Sequence, residues 1–261
     1  LDKLGLGKRH AESIVEEQID DAPPNLAELA YDGSDVRSDI RDAYGFDGDL
    51  LEIYAEGASQ LVHKWHHYLP IYDRYFAPWR NKPVRFLEIG VSKGGSLSMW
   101  RRYFGPDAVI FGIDIDEDCR AYDGIDGQVR IGSQDDPEFL RKVVDEMGGV
   151  DIVLDDGSHH MDHIIASVEC LASVVADGGL YMIEDLHTAY WQAWGGGLEA
   201  RANFFNYLRR LIDDQHRWYH NIEQHHPSVS NHFTSLHVYD SITVLEQGTP
   251  IRPCHSQIQK T

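Results

Sequence analysis

What most constrains this chain is a series of short apolar runs between residues 84 and 183, four of which stop at acids. Val84-Arg85-Phe86-Leu87-Glu88-Ile89 is the first. Ala108 to Asp114 is the second, and Gly127 to Ile131 a short third. Val150 to Leu154 leads into Asp155-Asp156-Gly157, and Gly179 to Ile183 leads into Glu184-Asp185. Helical patterns separate them: Leu97 to Phe104, Pro137 to Met147 and Met161 to Val175. Strands this short and apolar, alternating with helices, predict a parallel sheet covered on both faces. Right-handed crossovers make it a doubly wound α/β sheet.

The flanks differ in texture. Glu199 to His216 reads as one helix. Phe233 to Tyr239 and Ile242 to Glu246, separated by Asp240-Ser241, predict a terminal antiparallel hairpin. Upstream, residues 50 to 79 are rich in aromatics, with Leu61, Trp65, Tyr68, Leu69 and Tyr72 at helical spacing, and Pro70 is expected to kink or end a helix. Residues 1 to about 48 form an acidic arm, with a candidate helix over His10 to Asp20 broken at Ala22-Pro23-Pro24. The expected division is an arm and helical cap over 1–80 and the sheet domain over 81–261.

Charge narrows the partners. Lys and Arg number 23 against 43 Asp and Glu, a net charge of −20. Such a field repels nucleic-acid backbones and anionic membrane surfaces. No apolar run reaches the ~18 residues a membrane helix needs, and no basic-then-apolar leader opens the chain. Leu1 in place of Met leaves open a native start further upstream. Cys119, Cys170 and Cys254 are too scattered for a disulfide framework or a zinc site, which points to a reducing cytoplasm.

Ligands of an open α/β sheet bind beyond the carboxyl ends of its strands. Glu88, Asp114, Asp155-Asp156 and Glu184-Asp185 all fall there. Like charges crowded on one edge repel, so a function is the better explanation of the four together. The first strand end reads Glu88-Ile89-Gly90-Val91-Ser92-Lys93-Gly94-Gly95. It lacks the G-x-G-x-x-G dinucleotide fingerprint, which speaks against a nicotinamide oxidoreductase. Glu88 suits a ligand carrying an ammonium group, and Asp114 suits a ribose diol, with a helix N-cap as its alternative role.

These residues resemble the class I S-adenosylmethionine-dependent methyltransferases, whose first motif is an acid, one residue, then G-x-G-x-G. Glu88, Gly90 and Gly94 match, while Ser92 replaces the middle glycine. The terminal hairpin matches as well, so the resemblance implies a Rossmann-like methyltransferase sheet. Leu154-Asp155-Asp156-Gly157-Ser158-His159-His160 and Ile183-Glu184-Asp185-Leu186-His187-Thr188-Ala189-Tyr190-Trp191 are similar to metal-dependent sugar O-methyltransferases of the macrolide deoxysugar and mycobacterial polysaccharide types. Lys64-Trp65-His66-His67-Tyr68 is similar to a leading motif there. The resemblance implies cofactor contacts from Glu88, Gly90, Gly94, Ser96, Asp114, Ser133, Gln134 and Asp155. It implies one divalent metal on Asp156, Glu184 and Asp185, and His159 as the base. Three carboxylates are hard oxygen ligands that suit Mg²⁺ better than zinc.

The expected activity is Mg²⁺-dependent methyl transfer from S-adenosylmethionine to a hydroxyl of a sugar, glycoside or polysaccharide, by a cytoplasmic homo-oligomer acting on a small molecule or glycan. A catechol-type O-methyltransferase, a cephalosporin-hydroxylase-like protein and a non-catalytic binding module are the alternatives. His159 also suits the start of the following helix, and His160 suits packing. Tyr190, Trp191 and Trp194 suit either a sugar-stacking wall or a core cluster, and Asp213-Asp214 suits a solvated helix face.

Overall fold

The computed structural model describes residues 24–198 and 200–259. The candidate helix over His10 to Asp20 lies outside them. Among the described residues three α-helices precede the sheet: α1 (Val36–Tyr44), α2 (Asp49–Glu56) and α3 (Tyr68–Phe76). Then follow β1 (Arg85–Ile89), α4 (Gly95–Phe104), β2 (Val109–Asp114), β3 (Gln128–Ile131), α5 (Pro137–Met147), β4 (Val150–Asp155), α6 (Met161–Leu171) and β5 (Val175–Ile183). The chain ends with α7 (Phe204–Gln215), a single turn α8 (Pro227–Ser230), β6 (Phe233–Val238) and β7 (Thr243–Gln247).

The seven strands lie in the order β3-β2-β1-β4-β5-β7-β6. β1 to β5 are parallel, and β7 adds antiparallel to β5 with β6 outside it. This is the doubly wound sheet with terminal hairpin. The order reverses direction between β1 and β4, which splays the loops at their carboxyl ends and opens a crevice there. Alternation along β1 explains the two cores. Leu87 and Ile89 pack with α5, α6 and α7 on one face, and Phe86 packs with α3 and α4 on the other. Among the described residues no helix is long and apolar enough to cross a membrane.

Four local readings of the sequence change. The acidic arm contains α1, whose N-cap Asp35 accepts from the backbone N–H groups of Arg37 and Ser38, and whose Gly45 closes it at φ 63°. The helix expected through residues 50–79 is interrupted: residues 57–65 run without helix, so Leu61 and Trp65 share no helical face with Tyr72, and Leu61 is 70% exposed. Pro70 sits in the first turn of α3, where its missing N–H has no helical partner to lose, so it neither kinks nor ends the helix. The helix expected to reach Val175 stops at Leu171, because Val175 already pairs with Val150. The Asp177-Gly178-Gly179 stretch is the irregularity in β5: Gly178 holds φ 81°, and a side chain at Gly179 would come within 2.3 Å of the Asp151 carbonyl.

Candidate active site

A cavity of about 440 Å³ opens at the carboxyl ends of β1, β2, β4 and β5. Its walls come from the Gly90–Lys93 turn, Asp114, Gly132–Gln134, Asp156–His159, Glu184-Asp185 and the extended stretch Leu61–Trp65. Gly90 makes the crevice possible. It holds φ 96°, and a Cβ there would meet the Asp156 carbonyl oxygen at 2.0 Å. Only glycine lets β1 turn this tightly against the loop after β4.

Asp114 holds the turn in shape. Its Oδ2 accepts from the backbone N–H groups of Val91 and Ser92, both at 2.9 Å, and its Oδ1 accepts from Asp116 at 2.9 Å. It also borders the cavity, so it combines the turn-capping and ligand-facing roles. Ser96 and Ser133 border the cavity too. Gly94 does not: it starts α4 at φ 76° and lies against the ring of Tyr122.

Two of the expected cofactor acids are sealed beneath the cavity rather than lining it. Glu88 is fully buried, accepting from Ser96 Oγ at 2.7 Å and Trp100 Nε1 at 3.0 Å. Burial pushes its carboxyl up to about 7, against the pull of Lys64. Asp155 is buried and accepts from Ser167 Oγ at 2.6 Å, Tyr181 OH at 3.1 Å and Gln134 Nε2 at 3.1 Å. Burial still raises its pKa over those bonds. Gln134 continues the chain of contacts, since its Oε1 accepts from the Ser158 backbone at 2.7 Å. It therefore ties the β3 loop to the turn that carries Asp156 and His159.

Asp156, His159, Glu184 and Asp185 do converge. Parallel pairing of β4 with β5 sets Asp155 opposite Ile183, so the residues that follow leave the sheet side by side. His159 and Asp185 take left-handed backbone at φ 58° and 54°, a region rarely used by non-glycine residues and frequent at functional sites. Their ligand atoms and one from Asp156 lie within 4.8 Å of one another. His160 points elsewhere: it is the N-cap residue of α6, and its ring lies tilted against that of His163 at 5.4 Å.

The centre of the carboxylate group holds a side chain to which the sequence reading assigned no role. Lys64, its side chain only 2% exposed, donates to Asp156 Oδ2 at 2.6 Å and to Glu184 at 2.9 and 3.0 Å. Burial alone would lower its pKa, but Asp156, Glu184 and Glu88 outweigh that and raise it. Burial pushes the Glu184 carboxyl up, Asp156 adds repulsion, and Lys64 opposes both. Tyr68 donates to Asp185 Oδ1 at 2.7 Å. Lys64 contacts both Glu184 oxygens, while Asp156 and Asp185 remain partly accessible with one oxygen each free of Lys64 and Tyr68. The donor set therefore fits a hard divalent ion.

Tyr190, Trp191 and Trp194 do not line the cavity, so of their two expected roles the structure shows the packing one. Trp65 borders the cavity and meets His187 at 5.6 Å, and His187 meets Trp191 at 4.9 Å. Tyr190 instead packs on Phe205, and Trp194 packs behind Trp191. His187 lies 2.6 Å from Ser241 Oγ, and burial holds its pKa below the usual imidazole value. Asp214 is not a solvated helix face: it is buried and accepts the backbone N–H groups of His225 and His226, both at 2.7 Å.

Residues 87–186 match a family described as a methyltransferase domain. The chain carries a methyltransferase domain. It is 39% identical over 233 residues to the 8-demethyl-8-(2-methoxy-alpha-L-rhamnosyl)-tetracenomycin-C 3'-O-methyltransferase of Streptomyces olivaceus, covering 80% of this chain and 56% of that one. Over 212 residues it is 38% identical to the mycinamicin VI 2''-O-methyltransferase of Micromonospora griseorubida, covering 77% and 53%. The domain superposes with a TM-score of 0.66, at 33% identity, on the MycE methyltransferase from the mycinamycin biosynthetic pathway, crystallised with Mg, SAH and mycinamycin VI, over 86% of this chain and 56% of that one. The chain thus spans about half the length of the relatives it matches.

Proposed function

We propose that this protein transfers a methyl group from S-adenosylmethionine to a sugar hydroxyl of a glycosylated natural product, with Mg²⁺ at the carboxylate group. The observation that carries the reading is the convergence of Asp156, His159 and Asp185 in a cavity that Asp114 and the Gly90 turn also line. The names of the similar proteins, all sugar O-methyltransferases of such compounds, support the substrate class.

S-adenosylmethionine would lie along the Gly90–Lys93 turn, its ribose within reach of Asp114 and its adenine beside Ser133 and Gln134. Glu88 would act on the methionyl end through Ser96 rather than directly, and Asp155 would act through Gln134. Gly94 would serve the turn. Asp156, Glu184 and Asp185 would hold the ion, which when bound acidifies and orients a sugar hydroxyl. His159 would take the hydroxyl proton as the oxygen attacks the methyl carbon and the carbon–sulfur bond breaks. The methyl carbon passes from sulfur to oxygen, the bonding pair stays on sulfur, and the proton stays on Nε2 until solvent removes it. Trp65 would offer the sugar ring an aromatic face, with His187 packed against its edge.

We further propose a cap over residues 1–80 and a catalytic domain over 81–261, in a cytoplasmic homo-oligomer. Free Cys119, Cys170 and Cys254 support the compartment. Methyl transfer to rhamnosyl and deoxysugar glycosides, followed with and without EDTA, tests the activity. Product formation that needs Mg²⁺ is expected. Turnover of simple catechols with none of glycosides would move the assignment to the catechol-type alternative.

A further inference from the structure

Lys64 and Tyr68 lie outside the sheet, at the approach to α3 and at its first residue, yet both reach across to the strand ends. The bond from Lys64 spans 92 residues to Asp156, and the one from Tyr68 spans 117 to Asp185. Each takes one oxygen of its aspartate. Lys64 holds Asp156 Oδ2, and Tyr68 holds Asp185 Oδ1. The remaining oxygens, Asp156 Oδ1 and Asp185 Oδ2, face His159 Nε2 at 3.9 and 3.8 Å.

This division has a physical consequence. The carboxylate torsion of an aspartate is broad and nearly two-fold, so an untethered strand-end Asp presents its oxygens in no fixed direction. One strong hydrogen bond to a charged acceptor selects a rotamer and decides which oxygen is offered to the cavity. Lys64 adds a charge effect, because its buried ammonium lets Asp156 and Glu184 stay close together before any cation arrives.

Resting on the metal-dependent reading above, we propose that Lys64 and Tyr68 are positioning residues of the metal site, which present Asp156 Oδ1 and Asp185 Oδ2 to a divalent cation without touching it. The stretch before the sheet is then part of the active centre as well as its cover.

Tyr68→Phe deletes one oxygen and tests this most directly. Mn²⁺ and S-adenosylhomocysteine affinities are measured calorimetrically on the full chain, beside thermal melting. The expected result is Mn²⁺ binding weakened about 10- to 100-fold, the usual effect of removing a partner that orients a metal ligand. S-adenosylhomocysteine affinity should stay within about twofold and the melting temperature nearly unchanged, which a general structural defect would not give. Lys64→Met should melt lower in EDTA, because the carboxylates lose their ammonium, and should gain less stability than the parent from the same Mn²⁺ concentration. If it fails to fold, Tyr68→Phe decides alone. Unchanged Mn²⁺ affinity in Tyr68→Phe overturns the proposal and leaves the metal-dependent reading standing. A parent protein that binds S-adenosylhomocysteine but no Mn²⁺ overturns both.

Discussion

His159 Nε2 stands 3.8 Å from Asp185 Oδ2, and the two residues reach that distance from different strand-end loops, each through a left-handed backbone. His and Asp tolerate this region better than most residues, but it still costs free energy that the surrounding contacts must offset. The imidazole is therefore held at the carboxylates by backbone shape, with no hydrogen bond of its own to them.

His159→Asn tests the base, since asparagine accepts left-handed backbone. Turnover should fall about 10²- to 10⁴-fold, the contribution of a positioned general base. Mn²⁺ affinity and S-adenosylmethionine affinity should change little. Near-parental single-turnover rates would reassign the proton transfer.

Metal removal should be reversible. Dialysis against EDTA should abolish methyl transfer, and Mg²⁺ or Mn²⁺ should restore it. Asp185→Asn should lower metal affinity at least tenfold while leaving S-adenosylhomocysteine binding measurable, because its carboxylate lies with the Asp156 carboxylate and the His159 ring. Full activity in chelator is the outcome that refutes the metal assignment.

Asp114→Ala should do two things at once. The variant loses the proposed ribose acceptor and leaves the N–H groups of Val91, Ser92 and Asp116 without their partner. S-adenosylhomocysteine affinity should fall by tenfold or more, and the stability loss should be on the order of 1–3 kcal/mol. Asp114→Asn keeps one acceptor oxygen and should lose less on both counts, which paired calorimetry and urea unfolding would show.

Glu88 predicts a pH effect on stability. Its carboxyl is raised by burial from 4.5 to about 7, so the folded chain keeps a proton that the unfolded chain releases. That contribution to stability is complete below pH 4.5 and is lost as the pH rises through 7. Glu88→Gln removes the titration yet can still pair with Ser96 and Trp100. From pH 5 to pH 8 the variant should gain on the parent, by up to about 3 kcal/mol at 1.36 kcal/mol per pKa unit. Urea unfolding at the two pH values gives the gap, and a constant gap contradicts the assignment.

The sheet was legible because buried parallel strands leave apolar runs with clear ends, as at Arg85–Ile89 and Val109–Asp114. Asp156, His159, Glu184 and Asp185 were legible because parallel neighbours deliver adjacent strand ends to one place. Lys64 stands in a motif, Lys64-Trp65-His66-His67-Tyr68, that by itself gives the lysine no role. No local pattern announces a lysine whose partners lie 92 and 120 residues away. Aromatic spacing misled over residues 57–65, because a strap packed against a cavity mouth draws its side chains from the same palette as a helix. Glu88 and Asp155 were read as ligand-facing from their position at strand ends, and that position does not say which way a side chain turns.

Asp155 and Asp156 are neighbours in the chain that face opposite ways, one into a sealed network with Ser167, Tyr181 and Gln134, the other into the cavity. A screen scored by product alone would record inactive substitutions at both and treat them as equivalent. Scored by cellular abundance, the pair should separate. Substitutions at Asp155 would deplete the protein itself, whereas Asp156→Asn would leave a normal quantity of idle enzyme. A single activity map would thus merge two kinds of failure that differ by one position.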